Sequence, residues 1–148
     1  MDRIVIFLAS GVYVGYIPVA PGTFGSVLAL PLLLALARSG WSPAVIVALM
    51  GVAALLAMPV CGRTSRIYGE ADSSRIVLDE VCGMLIAGAL LPPTVWALGL
   101  AFAAFRFFDI VKPFPASYFD HHVKNGAGVV ADDLVAGVYA NLVVRMLL

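Results

Sequence analysis

Pro43-Ala-Val-Ile-Val-Ala-Leu-Met-Gly-Val-Ala-Ala-Leu-Leu-Ala-Met-Pro-Val-Cys61 decides the fold class of this 148-residue chain. The run contains no charged side chain, opens with a proline suited to the first turn of a helix, and approaches the ~20 apolar residues that cross a bilayer. It is the one run whose length alone meets that criterion. The rest of the chain agrees with it. Hydrophobic residues make up 62% and charged residues 12%, and a mean hydropathy of +1.02 is far from that of an ordinary soluble domain. The sequence reads as an integral membrane protein.

Working outward, breakers divide the chain into helical segments. Residues 4–17 form an apolar stretch too short to span, so a short re-entrant or interfacial N-terminal helix is expected there. Segments 24–37, 76–91 and 94–111 follow from the Pro-Val-Ala-Pro-Gly, Arg-Ser-Gly and Pro-Pro breakers, and a last helix runs from about residue 129 to the C-terminus. No repeat or polar linker interrupts the sequence, so residues 1–148 are read as a single domain. The expected fold is all-α, a compact multi-helix membrane bundle.

Charge narrows the function. Nine basic residues balance nine acidic ones, and no basic run offers an electrostatic footprint for nucleic acid, which is excluded as a partner. Cys61 and Cys82 have neither zinc-binding nor Cys-x-x-Cys spacing and read as buried thiols. Arg63, Arg66 and Arg75, assigned to one loop, together with Lys112, Lys124 and Arg3, mark one side of the bundle as cytoplasmic. An up-and-down helix order then brings the start of segment 24–37, the start of 76–91, the end of 94–111 and the start of the last helix to that same side.

Five carboxylates lie at those ends: Asp79, Glu80, Asp109, Asp132 and Asp133. An ionisable group in an apolar segment is costly unless it faces a cavity, pairs with a cation or binds a metal. Helix capping explains one acid per helix, not two adjacent pairs and a fifth. Clustered acids repel, and oxygen ligands without histidine or thiolate suit a hard ion, Mg²⁺ above Zn²⁺. The spacing of three puts Arg106, Asp109 and Lys112 on one helix face, which leaves positive charge for a phosphate. Pro21-Gly-Thr-Phe-Gly-Ser26 is a turn entering a helix, where backbone N–H groups and the hydroxyls of Thr23 and Ser26 suit an anion. Asn125-Gly-Ala-Gly128 reads as a flexible approach to Asp132. His121 and His122 are taken as surface residues.

These motifs, in order, resemble a known family. Ala20-Pro-Gly-Thr-Phe-Gly-Ser26, Asp72 with Ile76-Val-Leu-Asp-Glu-Val-Cys-Gly83, Phe105-Arg-Phe-Phe-Asp-Ile-Val-Lys-Pro-Phe-Pro115, Asp120, and Gly126-Ala-Gly-Val-Val-Ala-Asp-Asp-Leu-Val-Ala-Gly137 are similar to successive blocks of phosphatidylglycerophosphatase A. Cys82 departs from the pattern, where a bulkier or aliphatic residue is expected. The resemblance implies a multi-pass enzyme of the bacterial inner membrane. It would be Mg²⁺-dependent and convert the phospholipid phosphatidylglycerophosphate to phosphatidylglycerol and phosphate. The five carboxylates would be catalytic and metal-binding, with Thr23, Ser26, Arg106 and Lys112 binding substrate. Water or an aspartate attacks phosphorus; residue type does not choose between them. The rival reading is a small ion- or proton-coupled transport protein, which needs acids at several depths. A soluble all-α hydrolase is a third.

Overall fold

Ser42 and Pro43 begin the longest helix. In the computed structural model, which describes residues 2–70 and 73–148, the Ser42 hydroxyl accepts the Val45 N–H at 3.4 Å and Pro43 occupies the first turn. The elements are α1 (Asp2–Ala9), α2 (Pro21–Arg38), α3 (Pro43–Tyr68), α4 (Leu78–Ala87), α5 (Val95–Val111), α6 (Ala116–His122) and α7 (Gly126–Leu147), with a 3-10 turn at Val14–Tyr16. The fold is all-α, as expected. Asp72 lies outside the described residues.

Several boundaries differ from the sequence reading. The α3 helix runs two turns past Cys61 and stops at Gly69, whose φ of 71° is left-handed. Arg63 and Arg66 therefore stand on a helix rather than in a loop. Among the described residues, not one but three helices are long and apolar enough to cross a membrane: α2, α3 and α7. Pro21 starts α2 three residues early. For α7 the reason is Asn125, whose Oδ1 accepts the N–H groups of Ala127 and Gly128 at 3.0 and 3.1 Å. The Asn-Gly-Ala-Gly stretch is thus a cap and first turn, not a flexible approach. The single N-terminal helix expected over residues 4–17 ends at Ala9, because the Ser10 hydroxyl accepts the Tyr13 N–H and Gly11 turns the chain with φ 55°. What remains is about 12 Å long, too short to span.

At the centre stands α4, ten residues or about 15 Å, half the ~30 Å of a hydrocarbon core. It contacts α2, α3, α5 and α7 and buries seven of its residues. Its C-terminal carbonyls need partners there. The Asn141 amide donates to Ala87 O and Ala89 O at 2.9 and 3.0 Å, and Arg145 donates to Ala89 O at 3.0 Å. The helix ends four residues before the expected Leu91, since Leu90 has φ 55°.

The crossing of α4 and α7 positions the acids. A Cβ on Gly137 would lie 2.3 Å from Gly83 O, and one on Gly83 would lie 2.7 Å from Asp133 O, so only glycine permits this approach. Asp79 precedes Gly83 by four residues, and Asp133 precedes Gly137 by four. Residues four apart share a helix face, so the glycine contact aligns the two carboxylates one turn away. Phe105, Met84, Val130 and Val144 fill the fully buried core. Leu55, Leu56, Ile110, Leu142 and Met146 face outward. With three spans of membrane length, that apolar exterior identifies a membrane protein.

Candidate active site

The expected convergence is present. The start of α4, the end of α5, α6 and the first turns of α7 enclose a cavity of about 90 Å³, lined by Asp79, Glu80, Asp109, Lys112, Asp120, Lys124, Asp132 and Asp133 with Phe119, Val123 and Val129. The start of α2 reaches it through Gly22, which sits directly against Glu80 Oε1.

The five carboxylates fall into two groups. Asp79, Glu80 and Asp133 each offer an oxygen, all within 4.8 Å of one another. Asp79 and Asp133 are only 5% and 3% exposed. Asp79 Oδ1 and Glu80 Oε2 are buried and find no hydrogen-bond partner among the described residues. Asp109 and Asp132 instead have cations: Arg106 Nη1 stands 2.6 Å from Asp109 Oδ2, and Lys112 Nζ donates to Asp132 Oδ2 at 2.6 Å. The first of these is close, but its N–H is not aimed at the oxygen as a hydrogen bond requires. Asp132 Oδ1 accepts the N–H of Asp133 at 3.0 Å.

Here the sequence reading needs correction. Asp109 does not sit between Arg106 and Lys112. Lys112 ends α5 with a left-handed φ of 47° and carries its side chain away to Asp120 and Asp132, bonded to Asp120 Oδ1 at 2.7 Å. Burial works against the Lys112 ammonium, but hydrogen bonds to Asp120 and Asp132 outweigh it and hold its pKa above the ordinary lysine value. The same hydrogen bond from Lys112 holds Asp120 below the usual aspartate value.

Thr23 and Ser26 are not among the residues lining the cavity. Ser26 is fully buried, and its hydroxyl donates to Gly22 O of its own helix at 2.9 Å. The structure adds Phe119, Asp120, Val123, Lys124 and Val129 to the cavity. Phe119 and Asp120 lie on α6, a helix absent from the sequence reading, in which Asp120 is one residue of a motif. His121 and His122 are exposed, and their Nδ1 atoms contact Ser117 O and Tyr118 O within the helix. Cys61 and Cys82 are buried free thiols.

A bundle with membrane-length helices that holds a small acid cavity and fixed cations at one end has the parts of a membrane phosphatase. The family model for phosphatidylglycerophosphatase A matches residues 7–148. A Haemophilus influenzae phosphatidylglycerophosphatase A is 41% identical over 93% of this chain and 84% of its own length. The Escherichia coli protein of the same name is 36% identical over 88% and 76%. A Bacteroides thetaiotaomicron protein, named provisionally as a phosphatidylinositol-3-phosphatase, is 35% identical over 95% and 91%. No solved structure matches the chain. The chain belongs to the phosphatidylglycerophosphatase A family of lipid phosphatases.

Proposed function

We propose that this protein hydrolyses the terminal phosphomonoester of phosphatidylglycerophosphate, giving phosphatidylglycerol and phosphate at the cytoplasmic face of a bacterial inner membrane. The observation that carries the reading is the trio Asp79, Glu80 and Asp133, with two buried oxygens that lack hydrogen-bond partners among the described residues. An all-oxygen set of this kind fits Mg²⁺, which favours carboxylates shared with substrate phosphate. Those three residues would hold the ion, and it would supply Lewis-acid polarisation of the phosphoryl oxygens. Asp109 and Asp132, expected as ligands too, line the cavity and hold Arg106 and Lys112.

Hydrolysis breaks the bond between phosphorus and the glycerol oxygen, adds water's hydroxyl to phosphorus and returns a proton to the leaving alkoxide. Lys112, fixed between Asp120 and Asp132, supplies positive charge to the phosphoryl oxygens without reorganising. Arg106 offers a second cation behind Asp109. The apolar residues Phe119, Val123 and Val129 limit water in the cavity.

Purified protein should release phosphate from phosphatidylglycerophosphate with Mg²⁺ and stop in chelator; undiminished turnover under thorough chelation would sink the metal assignment. The two relatives of that name favour the glycerol headgroup. The assay should therefore include phosphatidylinositol 3-phosphate, with faster turnover expected on the glycerol lipid.

Orientation rests on the cations. Arg3, Arg63, Arg66, Arg75, Arg106, Lys112 and Lys124 belong to the cavity end, against Arg38 and Arg145 at the other, and Arg145 is engaged by Asn141 and Ala89. Cysteines placed at Glu70 and Val95, both exposed, should label from opposite sides, Glu70 from the cytoplasm. Labelling of both from one side would break this topology.

A further inference from the structure

A cavity of about 90 Å³ has room for only a few water molecules, so it admits the reacting phosphoryl group and little else of a lipid. On the phosphatase reading, from which this inference starts, the substrate continues through a glycerol to a second phosphate, a diester, and then to acyl chains. Lys124 lies on the wall of the acid cavity and also on that of a neighbouring depression of about 290 Å³. Arg66 stands on that second wall, and is shared in turn with a groove of about 710 Å³ between the end of α3 and the start of α7. Met58, Pro59 and Ile67 give that groove apolar sides, and Arg63 lies at it.

Lys124 and Arg66 also differ from the other cations at this end. Arg106, Lys112 and Arg63 each have a carboxylate at 2.6 to 2.7 Å. Lys124 and Arg66 are exposed, and neither has an ion-pair partner among the described residues. Among the described residues, Glu70 is the one carboxylate on their depression. Two uncommitted cations thus stand in sequence on the path from the acid cavity to an apolar groove.

We propose that Lys124 and Arg66 form the subsite for the substrate's diester phosphate, and that the α3–α7 groove takes the lipid beyond it. The monoester and diester phosphates are separated by one glycerol, so a lipid with its monoester in the cavity leads the diester out past Lys124. An arginine can meet two phosphate oxygens at once, and a lysine adds a point charge.

The test compares the full chain in mixed micelles with Lys124→Gln, Arg66→Gln and Arg66→Lys. Each is assayed on phosphatidylglycerophosphate and inhibited by phosphatidylglycerol, which has only the diester, or by inorganic phosphate, which needs only the cavity. Both glutamine variants should raise KM and weaken phosphatidylglycerol inhibition about tenfold, the loss of one charge-assisted contact. Their kcat and phosphate inhibition should be unchanged, and Arg66→Lys should recover part of the loss. Unchanged KM and phosphatidylglycerol inhibition would overturn the proposal. So would weakened phosphate inhibition or a fall in kcat alone, which put Lys124 on the reacting group. An equal KM rise in Arg3→Gln, an exposed cation elsewhere on this side, would reduce the effect to general attraction and also overturn it. A wild-type protein that releases no phosphate from the lipid would instead refute the phosphatase reading.

Discussion

Asp79→Asn and Asp133→Asn should each cost about a hundredfold or more in turnover while the protein remains folded. The substitution keeps the side-chain volume and removes the negative charge a divalent ion needs. Losing a ligand costs transition-state stabilisation on the order of 3 kcal/mol, which is the hundredfold. Stability should hold or rise, because one of three crowded anions disappears from a buried cluster. Helix capping makes the opposite forecast: Asn caps nearly as well as Asp, so turnover would barely move and stability would shift by about 1 kcal/mol or less. Asp79 Oδ1 has no hydrogen-bond partner among the described residues, which already argues against a cap. Steady-state kinetics with thermal melts decide between them, and full activity in both variants would refute the site.

Gly137→Ala should be nearly as damaging, although residue 137 carries no chemistry. Its new methyl would lie 2.3 Å from Gly83 O, a backbone atom that moves only if α4 and α7 separate. Overpacking of this kind costs about 1–3 kcal/mol. Separation also draws Asp79 from Asp133, and a shift of about 1 Å in a catalytic constellation can cost a hundredfold in rate. Gly99→Ala is the control: nothing lies within 4 Å of its Cβ, so activity should persist and the helix should gain about 1 kcal/mol. Wild-type turnover in Gly137→Ala would show that the glycine crossing does not set the site.

Much of this site was legible in the sequence because it depends on quantities a linear reading can follow. Segment order and the side bearing the basic residues suffice to bring Asp79, Glu80, Asp109, Asp132 and Asp133 to one end of a bundle. Which cation goes to which acid was not legible. Arg106, Asp109 and Lys112 share a face only if the helix continues, and the left-handed Lys112 ends it. The place of Asp120 in the cavity was not legible for a related reason: α6 has seven residues, two turns, too few for a hydrophobic period to show, and Lys124 follows it in the loop before α7. The extension of α3 to Tyr68 was hidden because Arg63 and Arg66 look like loop residues until the helix is seen to leave the apolar layer. The four-residue spacing of Asp79 to Gly83 and of Asp133 to Gly137 was visible all along, but its meaning is tertiary.

The half-length α4 is held along its length: Val77 at its N-cap donates to Ala9 O at 2.9 Å, the glycine crossing fixes its middle at Gly83, and Asn141 and Arg145 hold its C-terminus. A helix so fixed cannot slide or tilt to let Asp79 and Glu80 retreat from Asp133. Their mutual repulsion is therefore carried by the folded state itself, to be relieved by protons or by a cation. Ion binding and folding are then thermodynamically linked: an ion bound only by the native chain at a hundred times its dissociation constant adds about 2.7 kcal/mol to the stability of the whole bundle. The divalent ion would act as a structural tie for this enzyme as well as a reagent.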